Sequence, residues 1–338
     1  MANEKVTSTD VAKHAGVSQS AVSRVFTPGA SVSQKTMDKV KKAADELGYR
    51  PNSLARAMVS GKSRIIGLIV AYLDNQFYPD ALEKLSNSLQ EQGYHVLMFM
   101  ASKTADSIDS VVEEILDYQV DGIIAASVAM TSELAERCRQ ANVPIVLFNR
   151  SQEEGDFSAV TSDNFVGGLK AAQFLIRGGH KKFGYIAGWE GASTQRDREL
   201  GFKAGLSQEG FELHAREIGD FSMEKAKEAT RNMFRNDPPD ALFVANDHMA
   251  LAVMDTLRFE LNIKVPEDVS VVGYDNVPAS SWPSYNLTTL SQQADAMVNE
   301  TIRILLQQID GDSASPQKIA IGSPLVIRGS AKLPKDIN

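Results

Sequence analysis

Beyond Arg64, unbroken apolar runs alternate with stretches in which apolar residues recur every three or four positions. The first runs are Ile65–Ala71, His95–Met100, Gly122–Ala126 and Ile145–Phe148. Between them lie Leu82, Leu85 and Leu89, then Ile108, Val112, Ile115 and Leu116, at helical spacing. The theme repeats: Phe183–Gly188, Ala241–Ala245 and Val269–Tyr274 read as strands, with helical stretches around 164–177, 194–209, 223–235 and 247–260. A strand that is apolar throughout has no face to give to water, so it belongs in a parallel sheet covered by helices on both sides. Roughly 250 residues of this pattern exceed one sheet of usual width, which predicts an α/β body of two lobes.

The residues before this body differ in charge. Residues 1–64 hold 11 Lys/Arg against 5 Asp/Glu, a net of +6, and the remainder holds 24 against 38, a net of −14. A basic head on an acidic body predicts a polyanion-binding segment joined to something that binds no polyanion. Within the head, Thr7 with Asp10 has the spacing of a helix N-cap with an acidic first turn. Val11, Ala12 and Ala15 share one face, and Gly16 supplies a left-handed stop. Ser18 caps a second helix, Gln19–Phe26, with Val22 and Val25 inward, before Pro28 and Gly29 break it. Ser33 caps a third, in which Met37, Val40, Ala44 and Leu47 recur before Gly48. Two short helices about a tight glycine turn, buttressed by a third, predict an all-α helix-turn-helix. On the outer face of the second helix stand Gln19, Ser20, Ser23 and Arg24. Gln and Arg form bidentate pairs with adenine and guanine edges in the major groove, so this face is the candidate reader of double-stranded DNA.

Other classes are excluded by composition and motif. No apolar run approaches the roughly 20 residues that span a bilayer, so no membrane partner is expected. Met1–Gly16 is polar and has no apolar signal core, so a cytoplasmic location is expected. Cys138 is the single cysteine and the five histidines are scattered, which leaves neither a disulfide framework nor a metal-ligand spacing. There is no GxxxxGK[ST], no GxGxxG after the first strand, no HExxH and no GxSxG. Neither a cofactor nor an enzymatic activity is expected.

A two-lobed α/β body binds ligands at the carboxyl ends of its strands. The segments there are Asp74–Tyr78, Ser127, Asn149-Arg150, Asp163-Asn164, Trp189–Arg196, Asn246-Asp247 and Tyr274–Asn276. Carboxylates and amides hold hydroxyls, and the nearby aromatics Phe77, Tyr78, Trp189 and Trp282 can cover the C–H face of a ring, which suits a sugar. Arg150 could also reach a carboxylate or phosphate.

The stretch from Ser8 to Ser18, followed by Ala21-Val-Ser-Arg-Val, resembles the lactose-repressor (LacI) family of bacterial transcription regulators. Leu47-Gly-Tyr-Arg-Pro-Asn52 and Ala55-Arg56 are similar to that family's third-helix end and hinge, and Asn246-Asp247, Gly273-Tyr-Asp-Asn and Leu287-Thr-Thr to its effector domain. The resemblance implies a DNA-binding domain over 1–51, a hinge over 52–64, and an effector-binding, dimerising domain over 65–338 of periplasmic-binding-protein-like fold. Its lobes would be about 65–161 with 293–322, and 162–292 with 323–330. It implies that Gln19, Ser20 and Arg24 read bases, while Thr7, Ser18, Ser23, Ser33 and Asn52 position phosphates. The hinge, with Ala55, Arg56 and the wedge residue Met58, would order on operator DNA and enter the minor groove. Arg196, Asp247 and Asp275 become the leading effector contacts, with Phe77, Tyr78, Ser127, Asn149, Arg150, Asp163 and Phe221 secondary. Asn75-Gln76-Phe77 stands where the family has Asn-Pro-Phe, which predicts a less rigid loop. The implied function is a homodimeric repressor on a palindromic operator, controlled by a small-molecule effector of the sugar class. A solute-binding protein for transport shares the body's architecture and is the alternative.

Overall fold

The computed structural model describes residues 6–27, 30–50, 62–71, 73–101, 105–128, 132–152, 157–312 and 315–334, and it divides into two units, Met1–Arg64 and Ile65–Asn338. The first unit is built from α1 (Ser8–Ala15), α2 (Gln19–Val25) and α3 (Gln34–Leu47). Thr7 and Asp10 cap α1 reciprocally: the Thr7 hydroxyl accepts from Asp10 N–H, and the Asp10 carboxylate accepts from Thr7 N–H at 2.9 Å. Gly16 ends α1 at φ 65°, a left-handed conformation that costs a glycine nothing. Ser18 and Ser33 cap α2 and α3 through Ala21 and Thr36 N–H at 3.2 and 3.3 Å. Val11, Ala12, Val22, Val40, Ala43 and Ala44 make a small shared core. The second helix stops one residue short of the predicted end, because Phe26 leaves it to pack its ring 6.0 Å from that of Tyr49.

In the second unit the chain runs β1 (Ile65–Val70), α4 (Phe77–Glu91), β2 (His95–Met100), α5 (Ala105–Asp117), β3 (Gly122–Ala126), α6 (Ser132–Gln140), β4 (Ile145–Phe148) and β5 (Ser158–Ser162). It continues with α7 (Asn164–Arg177), β6 (Phe183–Ala187), α8 (Ser193–Gln208), β7 (Leu213–Ile218), α9 (Met223–Met233), β8 (Ala241–Val244), α10 (Asp247–Asp255) and β9 (Ser270–Asp275). Last come β10 (Thr288–Ser291), α11 (Ala294–Ile309), β11 (Lys318–Ile321) and β12 (Leu325–Val326). Two six-stranded sheets result, ordered β11-β5-β4-β3-β1-β2 and β12-β10-β9-β8-β6-β7. All pairings are parallel except that of β12 with β10. The chain passes between the sheets at Ser162–Asn164, after Ser291, and between Ile321 and Leu325, so residues at these crossings belong to both lobes.

The central strands β1, β3, β4, β6, β8 and β9 are the apolar runs seen in the sequence, and they are buried almost throughout. The strands the pattern misses are β5, β7, β10 and β11, which carry Ser, Thr, His, Arg, Glu and Lys among their apolar residues. Their hydroxyls are satisfied by tertiary partners: Ser158 Oγ accepts from Gln308 Nε2 and Gln317 N–H, and Thr289 Oγ1 donates to Asp247. The predicted helix 247–260 changes character at Asp255, beyond which Thr256–Glu260 forms a π turn; the Thr256 hydroxyl donates back to Ala252 O at 3.0 Å.

Candidate functional site

On the head, Gln19, Ser20, Ser23 and Arg24 all lie exposed on α2, and the cap residues Thr7, Ser18 and Ser33 are exposed at the starts of α1, α2 and α3. Two of the candidate base readers are held in place before any partner arrives. Gln19 Nε2 donates to Ser8 Oγ at 3.0 Å, and Arg24 Nε leans on the Ser20 carbonyl at 3.4 Å. Asn52, Ala55, Arg56 and Met58 lie outside the described residues.

In the second unit, the strand ends of both sheets converge on a buried polar cluster. Six residues there hold left-handed φ without being glycine: Ser127 (62°), Asn149 (57°), Asp220 (52°), Phe221 (54°), Asp275 (120°) and Asn276 (61°). Such backbone persists only where surrounding structure over-determines it, and it gathers at functional sites. The cluster is tied across the two sheets. Asn75 Nδ2 donates to Asp275 Oδ2 at 2.8 Å, Arg150 Nη1 to Thr194 Oγ1 at 2.7 Å, and Ser151 N–H to Ser193 Oγ at 3.0 Å. Ser162 Oγ donates to Gln292 Oε1 at 2.8 Å, and Gln292 in turn donates to Asp275 Oδ1 at 2.7 Å.

Each remaining candidate has a definite place. Asp275 is buried, and burial pushes its carboxyl upward while the nearby Arg198 charge opposes that shift. Asn149 donates to the Tyr78 hydroxyl at 3.0 Å, and Arg150 also reaches Ser127 Oγ at 2.9 Å. The Phe221 ring lies 5.9 Å from the Arg150 guanidinium and against Gly188, where an added Cβ would meet the ring at 2.1 Å. Phe77 and Tyr78 are packed in the core of the first sheet, Phe77 stacking on Phe148. Asp163 caps α7 through Val166 N–H at 3.1 Å. Asp247 is fully buried with both oxygens engaged inside its own lobe, by Thr289 Oγ1 at 2.6 Å and Val277 N–H at 3.0 Å. It therefore braces the loop that follows Asp275.

Two expectations are revised. Arg196 is exposed and pairs with its neighbour Asp197, outside the cluster. The buried arginine is Arg198, which donates to Asn164 Oδ1 at 2.8 Å, stands 3.6 Å from Asp275 Oδ1 and lies 3.6 Å from the centre of the Tyr274 ring. Helical geometry held the signal: Thr194, Arg198 and the buried Phe202 are spaced by four, whereas Arg196 falls on another face. The loop at Asn75-Gln76-Phe77 is anchored without proline, because Gln76 Oε1 accepts from Ala279 N–H across the lobes at 3.3 Å and Asn75 Oδ1 accepts from Phe77 N–H at 3.1 Å.

A helix-turn-helix head on a body of two parallel sheets, with a buried polar cluster at their facing strand ends, defines a DNA-binding regulator that responds to a ligand. Residues 7–52 match the family of bacterial regulatory proteins of the lacI type, and residues 172–331 a periplasmic binding protein-like domain. The chain is 30% identical over 331 residues to the HTH-type transcriptional repressor PurR of Mannheimia succiniciproducens, covering 96% of this chain and 98% of the relative. It is 29% identical over 326 residues to the ribose operon repressor of Escherichia coli K12, covering 95% and 98%. Among solved structures, the lac repressor dimer bound to operator and the anti-inducer ONPF superposes with a TM-score of 0.88 at 28% identity, covering 97% of this chain and 99% of that one. The chain belongs to the LacI family, whose members are non-catalytic DNA-binding transcription regulators. Among the described residues, no helix is long and apolar enough to cross a membrane.

Proposed function

We propose that this chain is a repressor that binds a palindromic operator as a homodimer in the cytoplasm, and that a sugar-class effector in the inter-sheet crevice sets its operator affinity. The observation that carries this reading is the set of bridges between lobes, Asn75 to Asp275 and Arg150 to Thr194, among buried polar groups at strand ends. A ligand entering there must exchange these bonds for its own and so alter how the lobes meet. The ribose operon repressor and the operator-bound lac repressor dimer support the sugar and the operator by likeness. Gln19, Ser20 and Arg24 are assigned to bases, and Thr7, Ser18, Ser23, Ser33 and Asn52 to phosphates. Ala55, Arg56 and Met58 act at the minor groove, within a hinge over 52–64 between the head (1–51) and the effector domain.

The test is selection of operator DNA from a random pool with the full chain, followed by anisotropy titrations with sugars, sugar acids, sugar phosphates, purines and nucleosides. A palindromic site is expected, with one ligand class shifting operator affinity by about 5- to 150-fold. The sign of the shift distinguishes an inducer from a corepressor. A single half-site bound with unchanged affinity under every ligand would overturn the reading.

A further inference from the structure

The hydroxyls at the starts of α1 and α2 are spent in different ways. That of Thr7 donates to Asp10 Oδ2 at 2.7 Å, and those of Ser18 and Ser20 meet each other at 2.9 Å, so each stays within its own helix start. Ser8, half-buried, reaches across instead: its Oγ accepts from Gln19 Nε2 at 3.0 Å. Both ends of this bond are anchored. Ser8 opens α1 inside the Thr7–Asp10 cap, Gln19 opens α2 behind the Ser18 cap, and the two helices share the core of Val11, Ala12 and Val22. A glutamine amide offers two N–H donors and one acceptor. Free to turn about its last torsion, it can offer its hydrogens to N7 and O6 of guanine, or one hydrogen and the oxygen to N7 and the N6 amine of adenine. The bond to Ser8 removes one hydrogen from that choice. One donor beside one acceptor remains, the complement of adenine and of no other single base in the major groove.

We propose that Ser8 is a positioning residue for base reading: it takes the Gln19 hydrogen turned away from Oε1 and so fixes Gln19 as a reader of adenine against guanine. The inference rests on the assignment of Gln19 to bases made above. The test is selection from a random duplex pool with the full chain and with its Gln19→Ala, Ser8→Ala and Ser8→Thr variants. Anisotropy titrations follow, on the site the wild type selects, on its guanine-substituted version and on a scrambled duplex. At the position that Gln19→Ala releases, the wild type should favour adenine over guanine by about 5- to 150-fold, as one bidentate contact allows. Ser8→Ala should lower that ratio by about 2- to 10-fold, the worth of one hydrogen bond, while affinity for the scrambled duplex stays as it was. Ser8→Thr, which keeps the hydroxyl, should restore the ratio. A ratio unchanged in Ser8→Ala, or guanine preferred at that position, overturns the inference and leaves Gln19 a reader. Equal weakening on every duplex would assign Ser8 to the fold of the head and overturn it as well. If Gln19→Ala releases no position, the assignment of Gln19 to bases falls and the inference with it.

Discussion

Burial pushes the Asp247 carboxyl up to about 8 from an ordinary 3.8, and the charge of Asp275 adds to the shift. The folded chain therefore holds a proton that the unfolded chain has released. The stability this contributes is complete below about pH 4 and is lost as the pH rises through 8. Asp247→Asn can keep both partners, accepting from Val277 N–H through its amide oxygen and bonding Thr289 Oγ1 through its amide nitrogen as donor, but carries no charge to bury. Urea unfolding at pH 5 and pH 9 should show the wild type losing on the order of 1–3 kcal/mol relative to the variant on going to the higher pH; parallel pH dependence would contradict the assignment. The site tolerates no crowding, since a Cβ at Gly273 would meet Asp247 Oδ1 at 2.2 Å. On the head, Arg24→Ala should weaken operator binding by about 1–3 kcal/mol and relax preference at one base pair, if Arg24 reads a guanine. A uniform loss across operator variants, measured by anisotropy, would place Arg24 on phosphate instead. The identities of Asp275, Asn149 and Arg150 as strand-end residues were legible in the sequence because strand ends are predictable. Arg198 was not singled out, since two arginines two apart on one helix differ only in which face packs inward.

Helices α7 and α8 run side by side in the same direction, and glycine lets them approach. A Cβ at Gly201 would lie 1.9 Å from the Phe165 carbonyl oxygen, and one at Gly168 would lie 2.1 Å from that of Arg198. Backbone cannot yield as a side-chain tip does, so the helices must part. Gly201→Ala should cost about 1–3 kcal/mol in denaturant unfolding and, by moving α8, weaken the Arg198–Asn164 bond and effector binding with it. Unchanged effector affinity would show that α8 shifts without carrying Arg198. In the head, the caps at Thr7, Ser18 and Ser33 and the stop at Gly16 were readable because capping depends on a few consecutive residues. The strands β5 and β10 were hidden by their serines and threonines, whose partners Gln308, Gln317 and Asp247 lie far along the chain.

Lobe closure depends on bonds between residues far apart in sequence, such as Asn75 with Asp275. Asn75→Ala leaves Asp275 Oδ2 without that donor, a loss of about 1–3 kcal/mol if the crevice stays shut. Opening the crevice to water relieves the cost. Hydrogen exchange should therefore rise at Ser151 and Ala279, whose N–H groups are bonded across the lobes and not to Asn75, and effector affinity should fall with the closed population. Unaltered exchange at both amides would mean that the remaining bridges hold the lobes without Asn75. The fold class followed from sequence because it is set by local periodicity: all-apolar runs require covered parallel strands, and capped short helices about Gly16 require a helix-turn-helix. The charge division between head and body likewise needs only counting. Which arginine faces Asp275, which loop Asp247 braces and which strand-end groups meet across the lobes depend on the pairing of side chains from separate strands and helices. Folding brings those groups together, and no local pattern in the chain encodes their distances.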